Sequence, residues 1–148
     1  MQQLPHRYGV QVTGRAAGDL RVTCSSLPDL VVAAPAEFDG PGDRWSPETL
    51  LVAAVGSCLI LTFRSIAQAS RFDWTSLDCQ VEATLDKAED GRRFTTFAIQ
   101  ADITVPEEGL EERANKLLEK AEKLCLITNS LRGETRLEVR VAIGAPRH

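Results

Sequence analysis

The segment spanning residues 50–63 constrains the fold of this chain more than any other, because it is apolar nearly all round. Three signals predict a helix that begins just before it. Ser46 can cap the helix, Pro47 suits its first position, and Glu48 complements the positive end of the helix dipole. The helix is expected to run to about Ala69. A solvent-facing helix does not tolerate such a surface, so we expect a sheet or another subunit to cover it.

Length, charge and hydropathy exclude several classes of protein. At 148 residues the chain has the size of one domain, and we expect residues 1–148 to form it. The net charge of −4 leaves no basic surplus for nucleic acid. The apolar segment is shorter than the roughly 20 residues that cross a bilayer. No secretory signal peptide is apparent either. We therefore expect a cytoplasmic protein that binds neither nucleic acid nor membrane and keeps its thiols reduced.

Alternating apolar and polar residues predict strands on both sides of the helix. The predicted strands cover residues 8–13, 20–24, 30–33, 77–85, 94–105 and 137–143. A loop is expected at residues 35–43, and a hairpin turn at residues 88–91. A second, amphipathic helix is expected to start at Pro106. The resulting order, β-β-β-α-β-β-α-β, predicts an α+β fold.

Residue types that usually carry enzyme chemistry are scarce. The two histidines, His6 and His148, lie near opposite ends, and no two cysteines have the short spacing of a zinc site. The same scarcity argues against a nucleophile activated by histidine. No glycine-rich loop has the pattern that binds phosphates. Catalysis in this chain is therefore expected to use thiols, carboxylates and arginines, without a metal or other cofactor.

The four cysteines occupy two kinds of position. Cys24 and Cys79 fall in predicted strands, where a packing role is expected. Cys58 lies inside the apolar helix, and Cys125 lies at the end of the apolar stripe of the second helix. Position alone also favours packing for Cys58, since free cysteines often behave as small hydrophobic residues.

Two motifs around these last cysteines resemble a known family. Residues 46–58 read SPETLLVAAVGSC, and residues 121–131 read AEKLCLITNSL. Both are similar to the cysteine motifs of the OsmC/Ohr family, the osmotically inducible and organic-hydroperoxide-resistance thiol peroxidases. The order of elements is similar over essentially the whole chain. The resemblance implies the family's fold and its intertwined homodimer.

The resemblance also implies a mechanism. Cys58 would be the peroxidatic thiolate, which attacks a peroxide and becomes a sulfenic acid. Cys125 would be the resolving thiol, which condenses with that sulfenic acid to a disulfide. A dithiol reductant, dihydrolipoyl groups in the better-studied branch, would restore both thiols. No metal or flavin takes part.

Glu48 matches the glutamate at the start of the family's helix, and the resemblance implies an arginine partner for it in the first hairpin. Arg15, in the turn, fits best. Arg21 is the second candidate, and Arg44 is a weaker local one. A cysteine with a pKa of about 8.5 is only a few per cent thiolate at neutral pH. A nearby cation would stabilise the thiolate and so lower that pKa. A carboxylate can orient the arginine through a bidentate pair.

Helix geometry suggests where this pair comes from. Glu48 and Cys58 are ten residues apart, or about 15 Å along a straight helix. One arginine can hardly bond Glu48 and also touch Cys58 of the same subunit. We therefore expect an obligate homodimer in which the partner chain supplies the glutamate and the arginine at each of two interfacial sites.

The second motif departs from the family pattern. Leu126 stands where the family commonly has proline, and Leu124 replaces a residue that is often polar or histidine. An apolar mouth of this kind is compatible with bulky lipophilic hydroperoxides as substrates, and equally with a paralogue that has a different substrate. Two other readings stay open: a redox-sensing or lipophilic-ligand-binding protein with this fold and no efficient turnover, and a structural dimer in which both cysteines pack.

Overall fold

A computed structural model describes residues 1–144, so His148 lies outside the described part of the chain. The chain divides into two compact units, residues 1–51 and the residues from 52 onward. Each unit is described by itself. The described elements are, in order, β1 (Gln11–Thr13), β2 (Leu20–Thr23), β3 (Leu30–Val32), a 3-10 helix (Ala36–Phe38), α1 (Pro47–Ala69), β4 (Ser76–Ala88), β5 (Gly91–Val105), α2 (Glu111–Leu124), α3 (Leu126–Asn129) and β6 (Glu134–Ile143).

The first unit contains a three-stranded antiparallel sheet in the order β1-β2-β3. Its first strand is shorter than the predicted 8–13, because only Gln11–Thr13 finds a partner. Gln11 pairs with Thr23, the last residue of β2. Beyond Thr23 the chain turns, and the Leu27 N–H donates to the Cys24 carbonyl at 3.2 Å. Residues 8–10 therefore have no strand to pair with.

The start of α1 is fixed by a reciprocal cap. The Thr49 N–H donates to the Ser46 hydroxyl at 3.1 Å, and the Ser46 N–H donates to the Thr49 hydroxyl at 2.9 Å. This arrangement satisfies two backbone donors at once, as a capping box does. Pro47 follows as the first helical residue, and the helix ends at Ala69. Both predicted boundaries of this helix are confirmed.

The second unit contains a sheet in the order β4-β5-β6. A long antiparallel hairpin joins β4 to β5 and closes with Ala88 opposite Gly91, at the predicted turn. Strand β6 pairs with β5 in parallel. Alternate residues of β5 are buried and form one face of the core: Phe97, Ile99, Ala101, Ile103 and Val105. The fold is therefore a mixed α/β fold with two three-stranded sheets.

The second long helix begins later than predicted. The sequence indicated a start at Pro106, whereas α2 begins at Glu111. Gly109 has a φ of 91°, a left-handed conformation that a helix cannot contain. The Gly109 N–H donates to the Glu111 carboxylate at 2.7 Å, which closes the turn before the helix.

Helix α1 buries one stripe of its surface. The stripe recurs every fourth residue and comprises Val55, Leu59, Phe63 and Ala67. Gly56 lies beside the sheet, where a Cβ atom would be 3.1 Å from Val81 Cγ2, so the lack of a side chain allows a close approach. The rest of α1 is half-buried or exposed, including Leu61 at 58%.

Helix α1 extends beyond the apolar segment of residues 50–63 at both ends, as predicted. The helix has 23 residues and is long and apolar enough to span a membrane by length and composition. One such helix is weak evidence, since the core helix of a soluble protein passes the same test. The sheet or second subunit that the sequence predicted over the rest of this surface stays a prediction.

Candidate thiol site

Two cysteines that are far apart in sequence meet in the second unit. Cys58 is half-buried on α1, and Cys125 is 1% exposed at the junction of α2 and α3. The two thiols are close enough that each affects the pKa of the other. Both residues are predicted site residues, and the structure brings them together.

The position of Cys125 follows from a break in the helix. Cys125 has extended backbone angles of φ −63° and ψ 114°, which end α2 and set the start of α3. Its carbonyl accepts the Asn129 N–H at 3.0 Å and the Thr128 hydroxyl at 3.3 Å. The N–H groups of Leu126 and Ile127, at the start of α3, have no carbonyl partner within the described residues.

These backbone N–H groups are among the influences on the pKa of Cys58. Burial is the strongest single influence and raises the pKa of Cys58. Hydrogen bonds from the Ile127 N–H, the Cys125 thiol, the Thr62 hydroxyl and the Leu126 N–H act in the opposite direction. Together they outweigh burial, so the pKa of Cys58 lies below its ordinary value of 9.0.

The sequence analysis did not identify three of these four donors. Thr62 lies one turn after Cys58, and its Oγ1 is 3.8 Å from the Cys58 sulfur. The i, i+4 spacing on one helix face could have identified it. The N–H groups of Leu126 and Ile127 carry no signal in the sequence. The lowered pKa of Cys58 arises without an arginine among its causes.

The pKa of Cys125 is shifted in the opposite direction. Burial raises its pKa most strongly, while the Thr128 N–H lowers it. The hydrogen bond to Cys58 and the negative charge on that sulfur raise it further. The pKa of Cys125 therefore lies above its ordinary value. The pair is asymmetric: Cys58 loses its proton first, and Cys125 keeps its own.

The other cysteines have different surroundings. Burial, with added repulsion from Asp78 and Asp102, raises the pKa of Cys79 to about 11. Cys24 lies in the first unit, and its thiol donates to the Gly9 carbonyl at 3.4 Å. The surroundings of Cys79 suit the packing role that the sequence predicted for it. Cys24 follows β2, which ends at Thr23, so its predicted strand position is wrong and its packing role stays a prediction.

The remaining predicted site residues lie in the first unit. Glu48 has a buried carboxylate oxygen without a hydrogen-bond partner in the described chain. Arg15 is exposed in the turn between β1 and β2 and forms no ion pair there with any described residue. The other two candidate arginines already form ion pairs. Arg21 pairs with Asp29 at 3.0 Å, and Arg44 pairs with Asp19 at 3.3 Å. The predicted pairing of Glu48 with Arg15 stays a prediction.

The protein therefore has a mixed α/β fold with a two-cysteine site. In that site a half-buried thiol of lowered pKa lies beside a buried thiol. Residues 40–140 match the family described as OsmC-like protein. The chain belongs to this OsmC family, and the resemblance read from its two motifs is confirmed.

Individual relatives are distant. Peroxiredoxin OsmC of Escherichia coli (strain K12) is 27% identical over 94 residues, which are 63% of this chain and 64% of that protein. An OsmC-like protein of unknown function from Vibrio cholerae superposes with a TM-score of 0.84 at 19% identity, covering 92% of this chain and 100% of the other. An organic hydroperoxide resistance protein OsmC from Legionella pneumophila gives a TM-score of 0.74 at 24% identity. The superposition covers 95% of this chain and 99% of the Legionella chain.

Proposed function

We propose that this protein is a thiol peroxidase that reduces organic hydroperoxides or hydrogen peroxide. The observation that carries the proposal is the neighbouring pair of motif cysteines, one half-buried and the other almost fully buried. Cys58 has a lowered pKa and is half-buried, whereas Cys125 has a raised pKa and is almost fully buried. A peroxidatic cysteine needs the first environment, because the thiolate is the nucleophile. The E. coli relative is a peroxiredoxin and the Legionella relative an organic hydroperoxide resistance protein, which supports the proposal.

The proposed cycle begins at Cys58. Its thiolate attacks one peroxide oxygen, the O–O bond breaks, and the alkoxide takes up a proton and leaves as an alcohol. The sulfur has then lost two electrons and is a sulfenic acid. The sulfur of Cys125 attacks the sulfenic sulfur, hydroxide leaves with the Cys125 proton as water, and a Cys58–Cys125 disulfide forms.

A dithiol reductant, such as a dihydrolipoyl protein, closes the cycle. Its first thiolate attacks the Cys58–Cys125 disulfide and forms a mixed disulfide with one of the two cysteines. Its second thiol then attacks the mixed disulfide and releases that cysteine. The reductant leaves as its own disulfide, and both cysteines return to thiols. Sulfur supplies every electron in this sequence, so the cycle calls for no metal or flavin.

The full site is proposed to form only in a homodimer. Helix α1 leaves apolar surface uncovered in one chain, including Leu61. Glu48 has a buried oxygen that lacks a partner, and Arg15 carries a charge without an ion pair among the described residues. In the proposed dimer these two residues pair with each other and approach Cys58 of the partner subunit.

Light scattering tests the dimer, and a stable monomer that turns over peroxide would contradict it. Arg15→Ala is expected to slow peroxide reduction. Arg21→Ala is the matched control, because Arg21 is already bonded to Asp29 and is expected to leave the rate unchanged. The opposite ranking would assign the activating arginine to Arg21.

Stopped-flow oxidation of the reduced protein tests the peroxidase itself. We expect a fast reaction with an organic hydroperoxide that Cys58→Ser abolishes and that Cys79→Ser leaves unchanged. Cys125→Ser should stop the reaction at the sulfenic acid. A slow reaction that does not depend on Cys58 would favour a redox-sensing or ligand-binding protein instead.

A further inference from the structure

The hydroxyl of Thr62 departs from the usual behaviour of hydroxyls in a helix. A serine or threonine inside a helix commonly donates to the carbonyl four residues earlier. Ser57 of the same helix does so, and its hydroxyl donates to the Ala53 carbonyl at 2.7 Å. The Thr62 hydroxyl instead contacts the side chain of Cys58, with Oγ1 3.8 Å from Sγ. The polar atom of Thr62 therefore lies at the thiol site.

The helix itself holds this contact in place. Thr62 follows Cys58 by four residues, and side chains with that spacing lie on the same helix face. Threonine is branched at Cβ, so its side chain has few rotamers in a helix and loses little freedom on forming the contact. Both residues are half-buried, where a hydrogen bond is stronger than in water.

Ionisation of Cys58 fixes the direction of the hydrogen bond. While the sulfur is a thiol, either atom can be the donor. A thiolate has no hydrogen to give, so only the Thr62 hydroxyl can then donate. Hydrogen bonds to charged groups are stronger than those between neutral groups. The contact therefore stabilises the thiolate more than the thiol, which agrees with the part that Thr62 has in lowering the pKa of Cys58.

We infer that Thr62 is a positioning residue whose side-chain hydroxyl donates a hydrogen bond to the Cys58 thiolate. The inference rests on the proposed peroxidatic role of Cys58 and adds to it a side chain that lies outside both cysteine motifs. Cys125, at the end of α2, is the one titratable group among the main influences on the pKa of Cys58. No charged side chain of α1, α2 or the sheet is among them.

The chain allows matched variants. Thr62→Val keeps the branched shape and removes only the hydroxyl. Thr62→Ala also removes the hydroxyl, and covers the case in which the added valine methyl crowds the sulfur. Thr62→Ser keeps the hydroxyl and loses the methyl group. Ser57→Ala is the control for a neighbouring hydroxyl, because Ser57 precedes Cys58 directly and bonds a carbonyl.

The measurement is the pH dependence of thiol–disulfide exchange between Cys58 and a small disulfide, followed as loss of the Cys58 thiol by mass spectrometry. Because the contact is long, it belongs at the low end for hydrogen bonds to charged groups, and its loss should raise the pKa of Cys58 by about one unit. The thiolate fraction at low pH then falls about tenfold, while each thiolate becomes roughly threefold more nucleophilic. We expect Thr62→Val and Thr62→Ala to react about threefold slower than wild type below both pKa values and about threefold faster above them.

Thr62→Ser and Ser57→Ala should keep the wild-type profile. The crossing of the pH profiles is the decisive signature, since lost packing alone would not raise the rate at high pH. Wild-type profiles in both Thr62→Val and Thr62→Ala would overturn the inference, as would an equal shift in Thr62→Ser. The proposed function fails separately, if Cys58→Ser reduces peroxide as fast as wild type.

Discussion

Cys125 has two roles in this account, and a pair of substitutions separates them. It is proposed to form the disulfide, and its thiol donates a hydrogen bond that lowers the pKa of Cys58. Cys125→Ala removes both roles. Cys125→Ser removes only the first, because a serine hydroxyl is a stronger donor than a thiol.

The size of the effect follows from the hydrogen bond. Hydrogen bonds to charged groups contribute about 1.5–3 kcal/mol, and a thiol donor belongs at the low end of that range. One pKa unit corresponds to about 1.4 kcal/mol. We therefore expect the pKa of Cys58 in Cys125→Ala to lie about one unit above that of wild type, and in Cys125→Ser to lie at or below the wild-type value.

The assay is alkylation of the Cys58 peptide by iodoacetamide as a function of pH, quantified by mass spectrometry so that Cys24 and Cys79 do not contribute. Neither variant should form the disulfide with peroxide. If both variants titrate at the wild-type pKa, the hydrogen bond between the thiols has no energetic role, and the asymmetry of the pair must have another origin.

Three further predictions concern stability. The pKa of Cys79 is raised to about 11 from 9.0, so the unfolded chain releases this proton first. The free energy of unfolding should therefore fall as the pH rises from about 9 towards about 11, and Cys79→Ala should flatten that decline in urea titrations. Gly56→Leu should cost about 1–3 kcal/mol, because its side chain would collide with Val81, and Gly56→Ala should cost much less. Phe63→Ala should lower the free energy of unfolding by about 3–5 kcal/mol in the same assay. Phe63 is fully buried and packs edge-on against Trp74, with the ring centroids 5.3 Å apart.

The elements that the sequence predicts well are those whose boundaries are set locally. The start of α1 depends on Ser46, Pro47 and Thr49, which lie within four residues of one another. A capping residue of this kind can be identified from the sequence. The start of α2 depends on a left-handed Gly109, and a glycine in a sequence does not reveal its φ. The extent of β1 depends on where its partner strand ends, which is a tertiary property.

The same distinction holds at the candidate site. Cys58 and Cys125 stand in motifs and are visible in the sequence. The donors that lower the pKa of Cys58 include two backbone amides, and every residue except proline carries one. Only the folded chain shows that the helix break at Cys125 places Leu126 and Ile127 among the residues that affect the pKa of Cys58. The pairing of Glu48 with Arg15 belongs to the proposed dimer and stays a prediction.

The most direct test of the proposed peroxidase chemistry is peptide mapping of the protein after one equivalent of an organic hydroperoxide. The account predicts a single disulfide between Cys58 and Cys125, with the Cys79 thiol still reduced. The same treatment of Cys125→Ser should leave a sulfenic acid on Cys58 alone. Oxidation spread over Cys24 and Cys79, with Cys58 and Cys125 still reduced, would contradict it.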